Sequence, residues 1–478
     1  MRSANWVIAF GCLVLAAMRV DAVRSAPVPI TLVRHYTPAD QVSGRYQYVP
    51  FEVAAGTSAL RLSYRYDRAN GDNVVDLGLF EPGSLELGSP AFRGYSGGSK
   101  SAIVVGVGDT TPGYRAGPVP AGTWHVLLGL YKVAPSGLDV TITVEAVAGT
   151  APATQGGSVA AITAIAPSPA ARWFKGALHT HTLHSDGTIT PTALLEQFRA
   201  LDFDFVAITD HNNVTHRAEL TPIYSQTARP LWIAGEEVTT PGGHANVWGL
   251  GPREWIDFRV NAGDPRIRSL VQTAHRYGAL FSVNHPVSEC VGCGWTHDYV
   301  DGIDALEISN GRHGEVVQAV AIWDKLLQAG RRITAVGSSD WHSAPNPLDS
   351  ANVRVHATRL TEDAILNAIR NGQVIVMRRG EDATPQITVR AAGMVAGVGE
   401  TLKVIEGAPL TVSVVAPQLA NGRLIVVSNG ERGAPAALSA RGEVTITQSA
   451  RHGYLRVELL TSNDTPVAYG NPVYLVRP

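Results

Sequence analysis

Between residues 27 and 148 apolar positions alternate with polar ones, as in Leu60, Leu62, Tyr64 and Tyr66 and again in Val140, Ile142 and Val144. Gly, Pro and an Asn70-Gly71-Asp72 break separate these runs. Period-two patterning puts every second side chain on one face, so half-buried strands and an N-terminal β-sandwich are predicted, with Trp124 in its core. Residues 149–171, rich in Ala, Pro, Gly, Thr and Ser, read as a linker. The pattern then changes. Thr190 can cap a helix with Pro191 at its first position and Leu194, Leu195, Phe198 and Leu201 as its apolar stripe. Continuous apolar runs at 205–209, 231–234, 245–250, 279–283, 305–308 and 333–336 predict buried strands, with helices near 267–277 and 315–329 between them. Such alternation predicts an α/β domain over residues 172–379, built on a parallel sheet or barrel. Period two returns over 380–478, in Leu410, Val412, Val414, Leu424, Val426, Val473 and Leu475, and predicts a second β-sandwich.

The first residues carry a different signal. Arg2 precedes an apolar run from Val7 to Met18, followed by Val20-Asp21-Ala22. That run is shorter than the ~20 residues a spanning helix needs, so residues 1–22 are expected to be a cleaved signal peptide, and the mature protein to be secreted or periplasmic with no integral span. Cys12 would leave with it, so of three cysteines Cys290 and Cys293 remain, and an oxidising compartment favours a local disulfide between them.

Composition narrows the chemistry. In 478 residues, 39 basic side chains face 41 acidic ones, a formal charge of −2, so binding of nucleic acid by bulk charge is not expected. Histidine is unevenly spread, with 11 of 15 between Arg172 and Pro345. These histidines follow the apolar strands. His179 and His181 leave one strand on a shared face, and Asp186 follows at a turn. His211 ends the next strand, Glu237 another; His244 opens its neighbour; His285 ends a further strand, and Asp340 and His342 the last. Strand ends of this kind meet on one face of a parallel barrel. Nine N and O donors without a thiolate exceed the needs of one ion and suit two or three divalent cations, with manganese, zinc or iron favoured over calcium.

The ordered set H-x-H-x4-D-G, T-D-H, G-x-E, a following His, N-H-P and S-D-x-H resembles that of the polymerase and histidinol phosphatase (PHP) superfamily, over roughly Arg172 to Arg379. The resemblance implies a distorted (β/α)7 barrel flanked by the two β-sandwiches. It also implies a cluster in which His179, His181 and Asp340 hold one metal, His244 and His285 a second with Glu237 bridging, and Asp186, His211 and His342 a third. Glu236, beside Glu237, leaves the choice of bridging carboxylate open, with Glu237 preferred by its position in the motif. The segment Gly243 to Gly249 and the ending Gly470-Asn471-Pro472 look like the CehA/McbA-type branch, some of whose members hydrolyse a carbamate ester.

The function that follows is an exported hydrolase, a phosphoesterase or phosphatase acting on a small phosphate ester through a metal-bridged hydroxide. A monoester, such as an inositol phosphate, is expected, because several cations facing one phosphoryl group complement its dianion. A carbamate or carboxyl-ester hydrolase is the alternative, and a non-catalytic surface binding protein a second one. Arg312, His313 and His184 are candidates to clamp the substrate or protonate the leaving oxygen. Asp210 is expected to orient an imidazole, His216 to lie in the outer shell, and His275 to be structural; His297 stays undecided.

Overall fold

The computed structural model describes residues 29–149, 171–224, 229–311, 316–378 and 383–478. The expected leader, nearly all of the linker, and Arg312 and His313 lie outside the described residues.

Alternation governs the N-terminal region. The strands Ile30–Tyr36, Leu138–Ala148, Thr57–Arg65 and Ala102–Gly106 form one antiparallel sheet, and Tyr46–Val53, Gly122–Lys132, Val74–Phe80 and Phe92–Gly97 a second. Leu60, Leu62, Tyr64, Val140, Ile142 and Val144 fill the space between them. Trp124 is fully buried there, and its indole N–H donates to the Pro120 carbonyl at 2.9 Å. The outer face of the second sheet is apolar too. Phe80, Phe92 and Tyr95 share one core with Ile256 and Phe258 of the central region, and Phe92 stacks on Trp255 at 4.1 Å. Burying each of these rings is worth on the order of 2 kcal/mol, so the sheet is anchored to its neighbour by its outer face.

The central sheet runs in the order Thr334–Gly337, Ala305–Ser309, Leu280–Val283, Gly243–Trp248, Leu231–Thr240, Phe205–Ile208, Arg172–Ala177. Past its first and last strands the chain comes together again: Thr180 bridges Trp341 in parallel, and the His181 N–H donates to the Trp341 carbonyl at 2.9 Å. The sheet is mixed, where a parallel one is expected. Only Pro241 and Gly242 separate the strands Leu231–Thr240 and Gly243–Trp248, and so short a loop forces an antiparallel hairpin. Gly243–Trp248 is antiparallel to Leu280–Val283 as well.

Helices are fewer than strict alternation would give. Pro191–Ala200, His216–Tyr224, Ile267–Arg276, Val316–Gln328 and Glu362–Arg370 serve this region, while the connection 284–304 carries none. Thr190 caps the first, its hydroxyl accepting from the Ala193 N–H at 3.2 Å, and Leu194, Leu195 and Phe198 are buried. Leu201, counted in the stripe, falls just past the helix and is exposed.

The strands Ala351–Ala357 and Val374–Arg378 extend the sheet beside Arg172–Ala177, and Ile375–Met377 then pair with Ala468–Gly470. The central sheet thus continues into the tail. A second sheet, of Met394–Ala396, Gln386–Ala391, Pro409–Val415 and Glu443–Ser449, covers it, with Leu410, Val412, Val414, Leu424, Val426, Val473 and Leu475 in the core between. None of the described helices is long and apolar enough to cross a membrane.

Candidate metal centre

The donors gather where the strands end. The loop His181–Gly187 folds back tightly: a Cβ at Gly187 would lie 2.5 Å from the His181 carbonyl carbon, so only glycine fits beside Asp186. The His179 N–H donates to Ser338 Oγ at 2.9 Å and the Thr180 N–H to Thr209 Oγ1 at 3.1 Å, which fixes the backbone carrying both imidazoles. His285 and Asp340 adopt φ of 23° and 51°, a left-handed backbone that side chains other than glycine rarely accept. Strain of this kind persists where the surrounding structure imposes it, and here it aims two donors inward.

Glu237 stands at the middle. Its Oε1 lies 3.2 Å from His179 Nε2, His244 Nδ1 and His285 Nε2, and its Oε2 lies 2.9 Å from His211 Nδ1 and 3.4 Å from His181 Nε2. Asp340 Oδ1 is 3.1 Å from Nε2 of both His179 and His181. Toward solvent, Asp186 Oδ1 lies 3.6 Å from His211 Nε2 and 3.5 Å from His342 Nε2, while the His342 ring stacks on His181 at 4.0 Å. All nine expected donors are therefore brought together.

Three of these atoms test whether cations fit. His179 Nε2, His181 Nε2 and Asp340 Oδ1 are buried and make no hydrogen bond, although the carboxylate oxygen lies only 3.1 Å from each nitrogen. An unsatisfied buried polar atom costs about 1–3 kcal/mol. Two donors each about 2.0–2.2 Å from a shared cation lie at this kind of spacing, so the trio fits an ion between its members. The donor atoms of His181, Asp186, His211 and His342 also lie within 4.8 Å of one another, as do those of His211, Glu237 and His244, and of His179, His285 and Glu307.

Burial disfavours charge on every group here, and the outcome depends on the neighbours. His181 is pushed down to about 4 by burial and by the imidazoles of His342 and His211, which leaves it neutral and able to ligate. His211 is half-buried, but Glu237 and Asp186 outweigh its desolvation and lift it to about 9. Glu237 and Asp340 resist burial through the surrounding imidazoles and are held well below the usual carboxylate range.

No family model matches the chain, and no curated protein matches it. Solved structures do match it, among them these two. One is a two-domain protein from Bacteroides vulgatus containing a predicted PHP-like metal-dependent phosphoesterase, 17% identical, with 63% of this chain and 96% of that one covered at a TM-score of 0.37. The other, a candidate metal-dependent phosphoesterase from Bifidobacterium adolescentis, is 17% identical over 41% of this chain and 94% of its own, at a TM-score of 0.28. At this distance neither neighbour decides the chemistry, which the donor set itself carries.

The side chains around the donors sort clearly. Glu236 points to the other face of its strand, where its Oε2 accepts the Ile256 N–H at 2.7 Å, and burial pushes its carboxyl well above the usual range. Asp210 accepts from the Thr182 N–H and hydroxyl at 2.8 Å and from Ser185 Oγ at 2.7 Å, and lies 3.2 Å from His216 Nδ1; it braces the ligand loop as well as an imidazole. His184 is turned away from the donors, with its ring nitrogens 2.7 Å from Thr215 Oγ1 and 3.1 Å from Glu219 Oε2. His275 pairs with Asp304 at 2.9 Å, and His297 Nε2 lies 2.8 Å from Thr240 Oγ1. Cys290 and Cys293 are joined as a disulfide.

One residue was not singled out by the sequence. Glu307 is buried, its Oε1 3.2 Å from His179 Nδ1, and its Oε2 accepts the His285 N–H at 3.0 Å. Its signal was available, since a carboxylate amid the apolar residues of a buried strand occupies the same kind of position as Glu237.

Proposed function

We propose that the chain is a metal-dependent phosphoesterase of PHP type that hydrolyses small phosphate esters, monoesters foremost, with a phosphorylated polyol within that class. The observation that carries this reading is the convergence of unpartnered buried donors, His179 Nε2, His181 Nε2 and Asp340 Oδ1, within a larger set of imidazoles and carboxylates. His179, His181 and Asp340 would hold one cation, His244, His285 and Glu237 a second, and Asp186, His211 and His342 a third. When bound, divalent cations supply a Lewis acid for the phosphoryl group and lower the pKa of water. Nitrogen-rich ligation favours manganese, zinc or iron.

The protein's own residues do the positioning. Glu307 holds His179 by Nδ1 and leaves Nε2 facing Asp340 and Glu237. Asp186, His342 and His211 are 43%, 30% and 21% exposed in their side chains, far more than His179, His181 or Glu237, so substrate would approach from their side. We read the central sheet as a distorted seven-stranded PHP-type barrel, a reading supported by the strand order and the Thr180–Trp341 bridge. The Cys290–Cys293 bridge supports an oxidising location, and with it export.

The test is purification of the mature chain, a measurement of metal content, and assays of aryl phosphate mono- and diesters beside an aryl carbamate and an aryl acetate. Two or more cations per chain and preferential turnover of the monoester are expected. Fewer than two cations with no turnover would overturn the enzyme reading, and turnover of the carbamate alone would overturn the phosphate one.

A further inference from the structure

The N-terminal sheets reach into the metal centre. Residues 98–101 connect the strands Phe92–Gly97 and Ala102–Gly106, and one of them grips a carbonyl of the central region. Lys100 Nζ donates to the Ser185 carbonyl at 2.8 Å, while the Ser99 hydroxyl, 3.1 Å from the same oxygen, has its closer acceptor in the Ser96 carbonyl at 2.6 Å. Ser185 is also held from its own domain, its hydroxyl donating to Asp210 Oδ1 at 2.7 Å and its N–H to the Thr182 carbonyl at 3.0 Å. A second grip lies nearby. The Gly113 N–H donates to Thr215 Oγ1 at 3.1 Å, and a Cβ at Gly113 would come within 2.7 Å of the His184 carbonyl oxygen.

The residue after Ser185 is Asp186, the most exposed carboxylate of the donor set. Among the described residues its carboxylate is met by the imidazoles of His181, His211 and His342 alone. Those imidazole nitrogens lie 3.5–3.9 Å away, too far to fix it by hydrogen bonds, so its place depends also on its own backbone, which Lys100 pins at the Ser185 carbonyl. The half-buried Lys100 ammonium also lies within electrostatic reach of Asp186 and Asp210.

We propose that Lys100 is a positioning residue of the metal centre, fixing the Ser185–Asp186 peptide so that Asp186 meets His211 and His342 and the outermost cation is retained. The N-terminal sheets then brace the site from outside the central region. This rests on the reading of the nine donors as a metal centre and is independent of which ester is cleaved.

The experiment is a titration of the metal-free full chain with Mn²⁺ and, separately, Zn²⁺, following cations bound per chain. Lys100→Met keeps the stem and removes charge and donors. It is expected to weaken one cation per chain by about 10–100-fold while the others bind as before, and Lys100→Arg is expected to restore most of the loss. Asp186→Asn should weaken the same cation, and the double variant should be little worse than Asp186→Asn alone, because Lys100 acts through Asp186. Wild-type affinities in Lys100→Met, or additive losses in the double variant, would overturn the proposal. If Lys100→Met does not fold, Lys100→Ala carries the same comparison, with a loss at the same cation expected and no loss overturning it. Loss of one cation in Lys100→Met, with no phosphate-ester turnover in the unaltered chain, would sink the substrate reading alone.

Discussion

Glu307 Oε1 lies 3.2 Å from Nδ1 of His179, on the side of the ring away from Asp340. The geometry makes Nδ1–H the donor to the carboxylate and leaves the Nε2 lone pair for a cation, as in other carboxylate–histidine–metal arrangements. Glu307→Ala is therefore expected to lower affinity for the most buried cation by about 10–100-fold, and Glu307→Gln, which can still accept that hydrogen bond, by less. Competition against a chromophoric chelator measures this. Unchanged affinity in Glu307→Ala would refute it.

Two adjacent carboxyls on one strand make a sharper contrast. Glu237 faces five imidazoles, whereas Glu236 is buried on the opposite face, where burial pushes its carboxyl well above the usual range. Glu237→Gln should lose metal and turnover, and Glu236→Gln should keep both, with stability within about 1 kcal/mol of the parent. Metal content of the two purified variants, side by side, decides the matter. His179→Ala and Asp340→Ala are each expected to abolish turnover.

Asp76, within electrostatic reach of His211, sets a further pH dependence. Burial raises its carboxyl from 3.8 to about 6, against the hydrogen bond from the Tyr95 hydroxyl at 2.7 Å. The folded chain then holds the proton more tightly than the unfolded one, so this contribution is intact below pH 3.8 and is lost as pH rises toward 6. Asp76→Asn keeps an acceptor for Tyr95 and removes the charge. It should stabilise the protein above pH 6 by on the order of 1–3 kcal/mol and make little difference near pH 4. Thermal melting at both ends of that range reads the difference, and an equal shift at both pH values would contradict the assignment.

Metal removal should be felt in the fold as well as in turnover. Cations that bind only the folded chain stabilise it by about 4 kcal/mol when present at a thousand times their dissociation constant. Chelation is expected to lower Tm by several degrees and abolish hydrolysis, and added Mn²⁺ or Zn²⁺ to restore both. A Tm indifferent to chelator in a preparation shown to contain metal would contradict this.

Much of the site could be seen in the sequence because metal ligands at strand exits recur as short motifs, and alternate strand positions share a face. His179 with His181 followed from that alternation, whereas Asp340 and His342, past the strand Thr334–Gly337, were marked by their motif. The hidden parts depended on distance along the chain. Glu307 and His179 are 128 residues apart, and Lys100 reaches Ser185 across 85. No local pattern encodes such contacts. In the fold, the period-two runs marked the facing sheets, but the strands Ala351–Ala357 and Val374–Arg378 and the helix Glu362–Arg370 were not foreseen. The first of these strands carries buried Asn352 and Arg354 amid its apolar residues, which breaks the expected contrast. The antiparallel hairpin at Pro241-Gly242 is encoded in the length of its loop, which the apolar pattern of the strands does not carry.

Asn471, near the chain's end, ties the tail to the strand leading to Asp340. Its Oδ1 accepts the Ala335 N–H at 2.8 Å, and its amide donates to the Ala335 and Val374 carbonyls at 2.9 Å. Together with the pairing of Ile375–Met377 on Ala468–Gly470, this makes the tail a poor candidate for recombination. A gene fragment stopping after residue 379 would expose a bare sheet edge and strip Ala335 of its partner, so exchange of tails between lineages would require matched changes on both sides of the seam.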